Sequence, residues 1–125
     1  MPARFRERLG DTFVVTIAQP DPCLALYPLA TWDAFCQRLE AAPVKDERYR
    51  RLVRYLLSHT EENASCDAQG RLLVPAPLRA YATIERDVVS IGSLTRVEVW
   101  SKERLGTLTP TADEAVAFTT ELGLY

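Results

Sequence analysis

The chain has 125 residues, of which 47% are hydrophobic and 26% are charged, close to the average for a globular domain, which excludes a disordered or collagen-like chain. This length suffices for one domain or for two small halves that share a core, but not for two large domains. The 15 Lys and Arg residues and 17 Asp and Glu residues give a net charge of −2, so any binding to nucleic acid has to come from a local basic patch.

The N-terminal segment is charged where a signal peptide needs its apolar stretch, and the longest apolar run, residues 23–30, is too short to span a membrane. We therefore expect a cytoplasmic protein with no membrane association. The three cysteines, Cys23, Cys36 and Cys66, are odd in number and widely spaced. This spacing fits neither a disulfide framework nor a Cys-x-x-Cys metal site, so the sequence predicts reduced thiols.

The first forty residues predict a helical turn, two strands and a helix. Residues 13–17 are β-branched and aromatic between turn-forming residues, and a second alternating strand ends at Tyr27. The following helix is predicted to start with Thr31 as its N-cap. Its apolar face has members three and four residues apart: Trp32, Phe35, Cys36 and Leu39.

A second helix is predicted from Asp46 to Ser58, and a strand, an Asp-x-x-Gly turn and a returning strand are predicted over residues 63–74. The apolar face of this helix consists of Tyr49, Leu52, Val53 and Leu56. After another helical turn, strands are predicted at residues 88–91 and before Ser101. Ser101 is expected to cap a short helix that stops at Gly106, and a last helix is expected over residues 113–122.

Two segments of the chain resemble each other at an offset that stays within one residue. The matching pairs are residues 2–6 with 75–79, 11–17 with 85–91, and 24–27 with 97–100. The second copy is preceded by residues 63–74, whereas the corresponding part of the first copy would lie upstream of Met1. We expect this start to be an annotation artefact, in which an in-frame Asp-x-x-Gly-Arg-Leu-type segment directly precedes Pro2.

Residues 67–75 read Asp-Ala-Gln-Gly-Arg-Leu-Leu-Val-Pro and resemble the Asp-x-x-Gly-Arg-Leu-x-x-Pro signature of the MraZ family of bacterial transcriptional regulators. Residues 23–32, 50–59 and 97–101 resemble the family's first-half strand and helix start, its interdomain helix and its second closing strand. The similarity covers most of positions 2–105. The first Asp-x-x-x-Arg motif of the family has no counterpart in this sequence.

The resemblance implies an α+β fold of two pseudo-repeated AbrB-like halves that form a double-psi-type β-barrel. The expected division is an incomplete first half over residues 1–30, linking helices over 31–60, a second half over 61–105 and a helical extension over 106–125. The resemblance also implies a ring-shaped homo-oligomer that binds repeated DNA boxes near the promoter of the division and cell-wall gene cluster. Such a protein would be associated with the nucleoid.

The candidate DNA-binding residues are Arg71, Asp67 and Gly70. Gly70 can adopt the positive φ that such a turn needs, and the guanidinium of Arg71 can hold a phosphate or a guanine through two hydrogen bonds. The family uses this arginine at its DNA face. Asp67 either orients Arg71 for DNA or only stabilises the turn by pairing with it. Since one chain of this charge would bind DNA weakly, several subunits would have to bind together.

Other polar residues favour structural roles. The arginine run of residues 48–54 is interpreted as a solvated helix face or a set of intersubunit salt bridges rather than a DNA contact. His59, the only histidine, is interpreted as packed or helix-terminal. A catalytic role is not favoured, because no nucleophile-elbow motif accompanies it. We therefore expect no enzyme activity, no metal site and no cofactor.

Two functions remain open at this stage. The first is a DNA-binding regulator that recognises repeats upstream of its own operon, which the presence of Arg71 favours. The alternative is an assembly partner that oligomerises with complete homologues without binding DNA well, which the missing first motif favours.

Overall fold

The computed structural model of the chain describes residues 1–124, in which six helices and five strands form. In chain order these are α1 (Ala3–Leu9), β1 (Phe13–Ile17), β2 (Leu24–Pro28), α2 (Leu29–Glu40), α3 (Glu47–Ser58), β3 (Thr60–Ala64), α4 (Ala76–Tyr81), β4 (Val88–Gly92), β5 (Val97–Ser101), α5 (Lys102–Leu108) and α6 (Ala112–Glu121). The α+β class is confirmed.

The five strands form one antiparallel sheet in the order β3-β1-β2-β5-β4. Helix α1 with the hairpin β1–β2 and helix α4 with the hairpin β4–β5 repeat the same order of elements, which confirms the predicted repeat. The two hairpins meet where β2 pairs with β5, through Leu24 opposite Val99 and Leu26 opposite Val97. This register maps onto itself when the halves are exchanged, so the halves are related by a pseudo-two-fold axis through the centre of the sheet.

The predicted bounds of β1 agree with the structure, and the predicted helix over residues 46–58 is confirmed as α3. Asp46 is its N-cap, since its side chain accepts hydrogen bonds from the backbone N–H groups of Arg48 and Tyr49. The helix expected over residues 113–122 is confirmed as α6, and Ser101 caps α5 by accepting from the backbone N–H of Arg104 at 3.3 Å.

Three local predictions are wrong. Helix α2 begins at Leu29 instead of after Thr31, directly behind Pro28, whose ring fixes φ near the helical value. Helix α5 continues through Gly106 to Leu108, because Gly106 does not adopt the positive φ of a helix stop. The returning strand after the Asp-x-x-Gly turn is reduced to one bridge, between Cys66 and Leu72.

The main core lies on one face of the sheet, because alternate strand residues point to the same side. Helices α1, α3 and α4 contribute to it through Phe5, Leu56 and Leu78. From the strands it contains Phe13, Val15, Ile17, Leu24, Leu26, Val97 and Val99. Of the apolar faces predicted for the two linking helices, Trp32 and Leu56 are buried, whereas Leu52 remains 40% exposed.

A smaller cluster on the opposite face encloses Cys23 with Ala18, Ala25 and Trp100. Burial, and then the negative charge of Glu98, raises the pKa of the Cys23 thiol to about 12. Since the thiolate is the reactive form, we expect Cys23 to resist thiol reagents at pH 8 in the folded protein. Titration with a chromogenic disulfide should count two reacting thiols per chain and a third only after unfolding. Three rapidly reacting thiols in the folded protein would contradict this packing.

Candidate functional site

The turn that contains Asp67 and Arg71 is closed by hydrogen bonds among its own residues. The Oδ1 atom of Asp67 accepts from the backbone N–H groups of Gln69 and Arg71, both at 2.9 Å. The backbone adds bonds from the Asp67 N–H to the Arg71 carbonyl and from the Gly70 N–H to the Asp67 carbonyl, also at 2.9 Å. An aspartate that bonds amides farther along the chain in this way fixes the turn locally.

The side chain of Arg71 is held at the surface by its neighbours. Its Nε donates to Oδ2 of Asp67 at 2.8 Å and its Nη2 donates to Oε1 of Gln69, while the Arg71 side chain is 75% exposed. Nη1 and one hydrogen of Nη2 have no partner among residues 1–124. The outer fork of the guanidinium is therefore oriented and free to donate two parallel hydrogen bonds to an acceptor pair.

The backbone N–H of Arg71, and then its guanidinium, lower the pKa of the Asp67 carboxyl. The pKa of Asp67 is lower in the folded protein than in the unfolded chain, so its pair with Arg71 stabilises the folded protein at pH values above the ordinary pKa of an aspartate. This stabilisation is lost as the pH falls through the lowered value. Asp67 therefore holds Arg71 as an ion pair throughout the neutral range.

Gly70 has φ +78°, and its carbonyl accepts a hydrogen bond of 2.7 Å from the amino group of Met1. A Cβ at this position would lie 3.1 Å from the Met1 carbonyl oxygen and 3.2 Å from Cζ of Arg6. The turn thus packs closely on Met1 and on Arg6 of α1. Only glycine satisfies both the backbone conformation and this contact.

Replacing Gly70 with alanine should lower the free energy of unfolding by about 1–3 kcal/mol, since a residue with a Cβ is strained at this φ. Urea denaturation measures the change. Gly123→Ala is the matched control, because Gly123 has φ +75° with nothing within 4 Å of an added Cβ. The excess loss at Gly70 reports its packing on α1, and equal losses at the two sites would contradict that contact.

Beside the turn lies a cavity of about 460 Å³ that Arg71 lines together with Arg79, Glu85 and Arg86. Sequence reasoning did not single out Arg79 and Arg86. The signal for Arg79 was in the repeat, where it is the counterpart of Arg6. The structure thus brings three arginines to one cavity. The cavity is locally positive although the net charge of the chain is negative.

The arginine run of residues 48–54 lies exposed on α3, as predicted. Arg48 pairs with Asp46 at 2.8 Å, and Arg50 and Arg54 pair with Glu47 at 2.7 and 3.5 Å. These ion pairs occupy Arg48, Arg50 and Arg54 with acidic residues of α3 and its N-cap.

His59 ends α3, with Nδ1 2.8 Å from the Tyr55 carbonyl oxygen and its ring 4.5 Å from the Tyr55 ring. The interpretation as a helix-terminal histidine is confirmed. Within residues 1–124, no group of three or more His, Cys, Asp or Glu side chains is arranged to hold a metal ion. In the same residues no helix has the length and apolar character needed to cross a bilayer.

A family model described as "MraZ protein, putative antitoxin-like" matches residues 1–55 and again residues 56–120. The chain is 43% identical over 104 residues to the transcriptional regulator MraZ of Clostridium acetobutylicum, which covers 83% of this chain and 72% of that protein. It is 40% identical over 121 residues to the transcriptional regulator MraZ of Desulfitobacterium hafniense, with 97% of this chain and 83% of that protein covered. The corresponding protein of Heliobacterium modesticaldum is 46% identical over 104 residues, with 83% and 71% covered. Because the family model matches both halves and these relatives align over most of its length, the chain belongs to the MraZ family.

Proposed function

We propose that this chain is a sequence-specific DNA-binding transcriptional regulator and that Arg71 contacts the DNA. One observation carries the proposal: the Arg71 guanidinium is fixed by Asp67 at an exposed turn with its outer fork free. A fork of this kind matches the O6 and N7 acceptors of guanine or two oxygens of a phosphate. The relatives named as transcriptional regulators support the same function.

Asp67 acts as the residue that orients Arg71, and Gly70 permits the turn. The carboxylate occupies the Nε side of the guanidinium, so the side chain loses little conformational freedom when it binds DNA. Asp67 itself repels phosphate and adds no affinity of its own.

The two AbrB-like halves comprise residues 1–30 and 61–105, joined by residues 31–60 and followed by the extension 106–125. The repeated helix–strand–strand order of residues 3–28 and 76–101 and the symmetric pairing of β2 with β5 support two repeated halves. The halves form a double-psi-type barrel, and several chains assemble into a ring. The ring acts at the nucleoid in the cytoplasm, on repeated boxes near the promoter of the division and cell-wall gene cluster.

Assembly is needed because one chain with a net charge of −2 neutralises few phosphates and releases few counterions. Several copies of Arg71 in register with spaced repeats raise the effective concentration of each contact after the first has formed. Binding is therefore cooperative, steeply dependent on salt and sensitive to the spacing of the repeats.

The experiment is a mobility-shift titration on the DNA upstream of the protein's own gene, with light scattering to measure the assembly state. We expect a cooperative complex whose affinity falls as salt rises and falls further on a fragment in which the repeats are shuffled. Equal affinity for the native and shuffled fragments would overturn sequence-specific regulation. Lack of any complex at low salt would overturn DNA binding.

A further inference from the structure

The side chain of Gln69 is the second group, besides Asp67, that holds Arg71 in place. Its Oε1 accepts from Nη2 of Arg71, and its backbone N–H donates to Oδ1 of Asp67 at 2.9 Å. Because a guanidinium has only donors, Gln69 has to turn its carbonyl oxygen towards Arg71. The amide nitrogen Nε2 therefore points away from Nη2. Gln69 is exposed, and its Nε2 has no partner among residues 1–124.

This contact fixes which end of the Gln69 amide faces outward. An unrestrained glutamine can expose either its oxygen, an acceptor, or its nitrogen, a donor of two hydrogen bonds. If the amide of Gln69 were rotated by half a turn, Nε2 would face Nη2, donor against donor, and the bond to Arg71 would be lost. Gln69 thus presents only N–H donors to the outside, as Arg71 does.

The outward donors of Gln69 and Arg71 are neighbours. Nε2 shares its carbon atom with Oε1, and Oε1 contacts Nη2, so the two sets of donors are separated by little more than one amide group. Successive bases of one DNA strand are about 3.4 Å apart, which is a separation of the same order. When the fork of Arg71 contacts one base, Nε2 of Gln69 therefore reaches the edge of an adjacent base.

The charge of the turn favours a base edge over a phosphate as its target. Residues 67–71 contain one acid and one base, which form an ion pair at 2.8 Å. Contacts to phosphate act mainly through positive charge, and this turn has no net charge. A base edge is recognised by the arrangement of donors and acceptors. An ordered row of donors without net charge fits this second kind of contact.

We propose that Gln69 selects the base next to a guanine contacted by Arg71, by donating from Nε2 to an acceptor on the major-groove edge of that base. The inference rests on the proposed DNA contact of Arg71. Adenine and guanine offer N7 and thymine offers O4, whereas cytosine presents its N4 amino group, a donor. A cytosine at this position leaves both its amino group and Nε2 without a partner. Gln69 thus acts by rejecting cytosine.

The test first locates the base that Arg71 contacts, with the full chain and the DNA upstream of its own gene. Each base pair of the repeat is substituted in turn, in every repeat alike, and affinities are measured by mobility shift at low salt, where weak complexes still form. A substitution that weakens the unaltered protein but not Arg71→Ala identifies the contacted base pair. We expect a guanine there. Each of its two neighbours is then replaced with all four bases.

At one of these neighbours the unaltered protein should bind cytosine at least roughly fivefold more weakly than the other bases, the cost of a mismatched base pair. Gln69→Ala should bind all four bases nearly equally. Gln69→Glu should prefer cytosine, because a carboxylate accepts from the N4 amino group. Gln37→Ala, at an exposed position of α2, is the matched control and should keep the preference of the unaltered protein. Ratios within one variant are compared, so a uniform loss of affinity does not affect them.

Three results would overturn the inference and leave DNA binding intact. If Gln69→Ala weakens binding to all sequences but still rejects cytosine, Gln69 only positions Arg71. If Arg71→Ala binds more weakly but no base pair depends on Arg71, then Arg71 contacts phosphate. If the unaltered protein does not discriminate against cytosine at either neighbour, Gln69 selects no base. Lack of any complex with the unaltered protein would instead overturn the proposed function, and the inference with it.

A modified base tests the acceptor directly. With adenine at the selected neighbour, replacement by 7-deazaadenine removes N7 and leaves base pairing unchanged. The unaltered protein should bind this DNA more weakly than the adenine DNA, and Gln69→Ala should bind both alike. Thermal unfolding checks that the variant folds. If it does not, the unaltered protein decides the question, because equal affinity for the two DNAs would overturn the inference.

Discussion

Arg71→Ala should abolish most of the DNA affinity while the protein stays folded and assembled. The side chain is 75% exposed and only bonds within its own turn, so its removal leaves the core intact. Loss of a guanidinium that contacts guanine or phosphate costs about 1–3 kcal/mol per engaged subunit. In an oligomer these losses multiply, and the dependence of affinity on salt becomes shallower. Mobility-shift titrations at several salt concentrations measure both effects.

Three further variants separate charge, geometry and general effects on the surface. Arg71→Lys should recover only part of the affinity, since it keeps the charge and loses the two-pronged geometry. Asp67→Asn should weaken binding less than Arg71→Ala, because the guanidinium of Arg71 and its charge remain in that variant. Arg38→Ala, at an exposed position of α2, should leave the affinity nearly unchanged. If Arg71→Ala binds as tightly as Arg38→Ala in an intact oligomer, Arg71 does not contact DNA.

Most of the fold could be predicted from local sequence patterns. Strand β1 is a run of β-branched and aromatic residues between turn-forming residues, and Asp46 is a good N-cap ahead of an amphipathic segment. The errors occur where the flanking residues determine the local conformation. Thr31 has the side chain of a cap, but Pro28 already starts the helix, and Gly106 lies within α5 because nothing imposes a positive φ there. A pattern of single residues does not contain this information.

The turn at the site could be predicted from the sequence, but most of the residues that surround Arg71 could not. The Asp-x-x-Gly-Arg spacing predicts that Asp67 and Arg71 meet, and the structure brings them together at 2.8 Å. The contribution of Gln69, which fixes Nη2, depends on a rotamer that the sequence does not specify. The approach of Arg79 and Arg86 to Arg71 depends on how the second half folds over the turn. Contacts between residues close in the chain could thus be predicted, and contacts set by tertiary packing could not.

The asymmetry between the halves should also determine the response of the core to mutation. Phe13→Ala should lower the free energy of unfolding by about 3–5 kcal/mol, the usual cost of removing a buried aromatic side chain. Phe13 is 1% exposed and lies in the main core between β2 and β3. The loss is large relative to the total stability of a domain of this size. Denaturant unfolding measured by circular dichroism provides the value.

Val88 has the place in the second hairpin that Phe13 has in the first, because it pairs with Ser101 as Phe13 pairs with Pro28. Val88→Ala should cost less than about 1 kcal/mol, since Val88 is 48% exposed. Valine is smaller than phenylalanine, so Val15→Ala is the matched control. Val15 lies on the same face of β1 as Phe13 and is 1% exposed. Its truncation should lower the free energy of unfolding by roughly 2 kcal/mol. The same valine-to-alanine change is thus compared on a covered strand and on an uncovered one. A cost at Val88 as large as that at Val15 would mean that β4 is covered in solution.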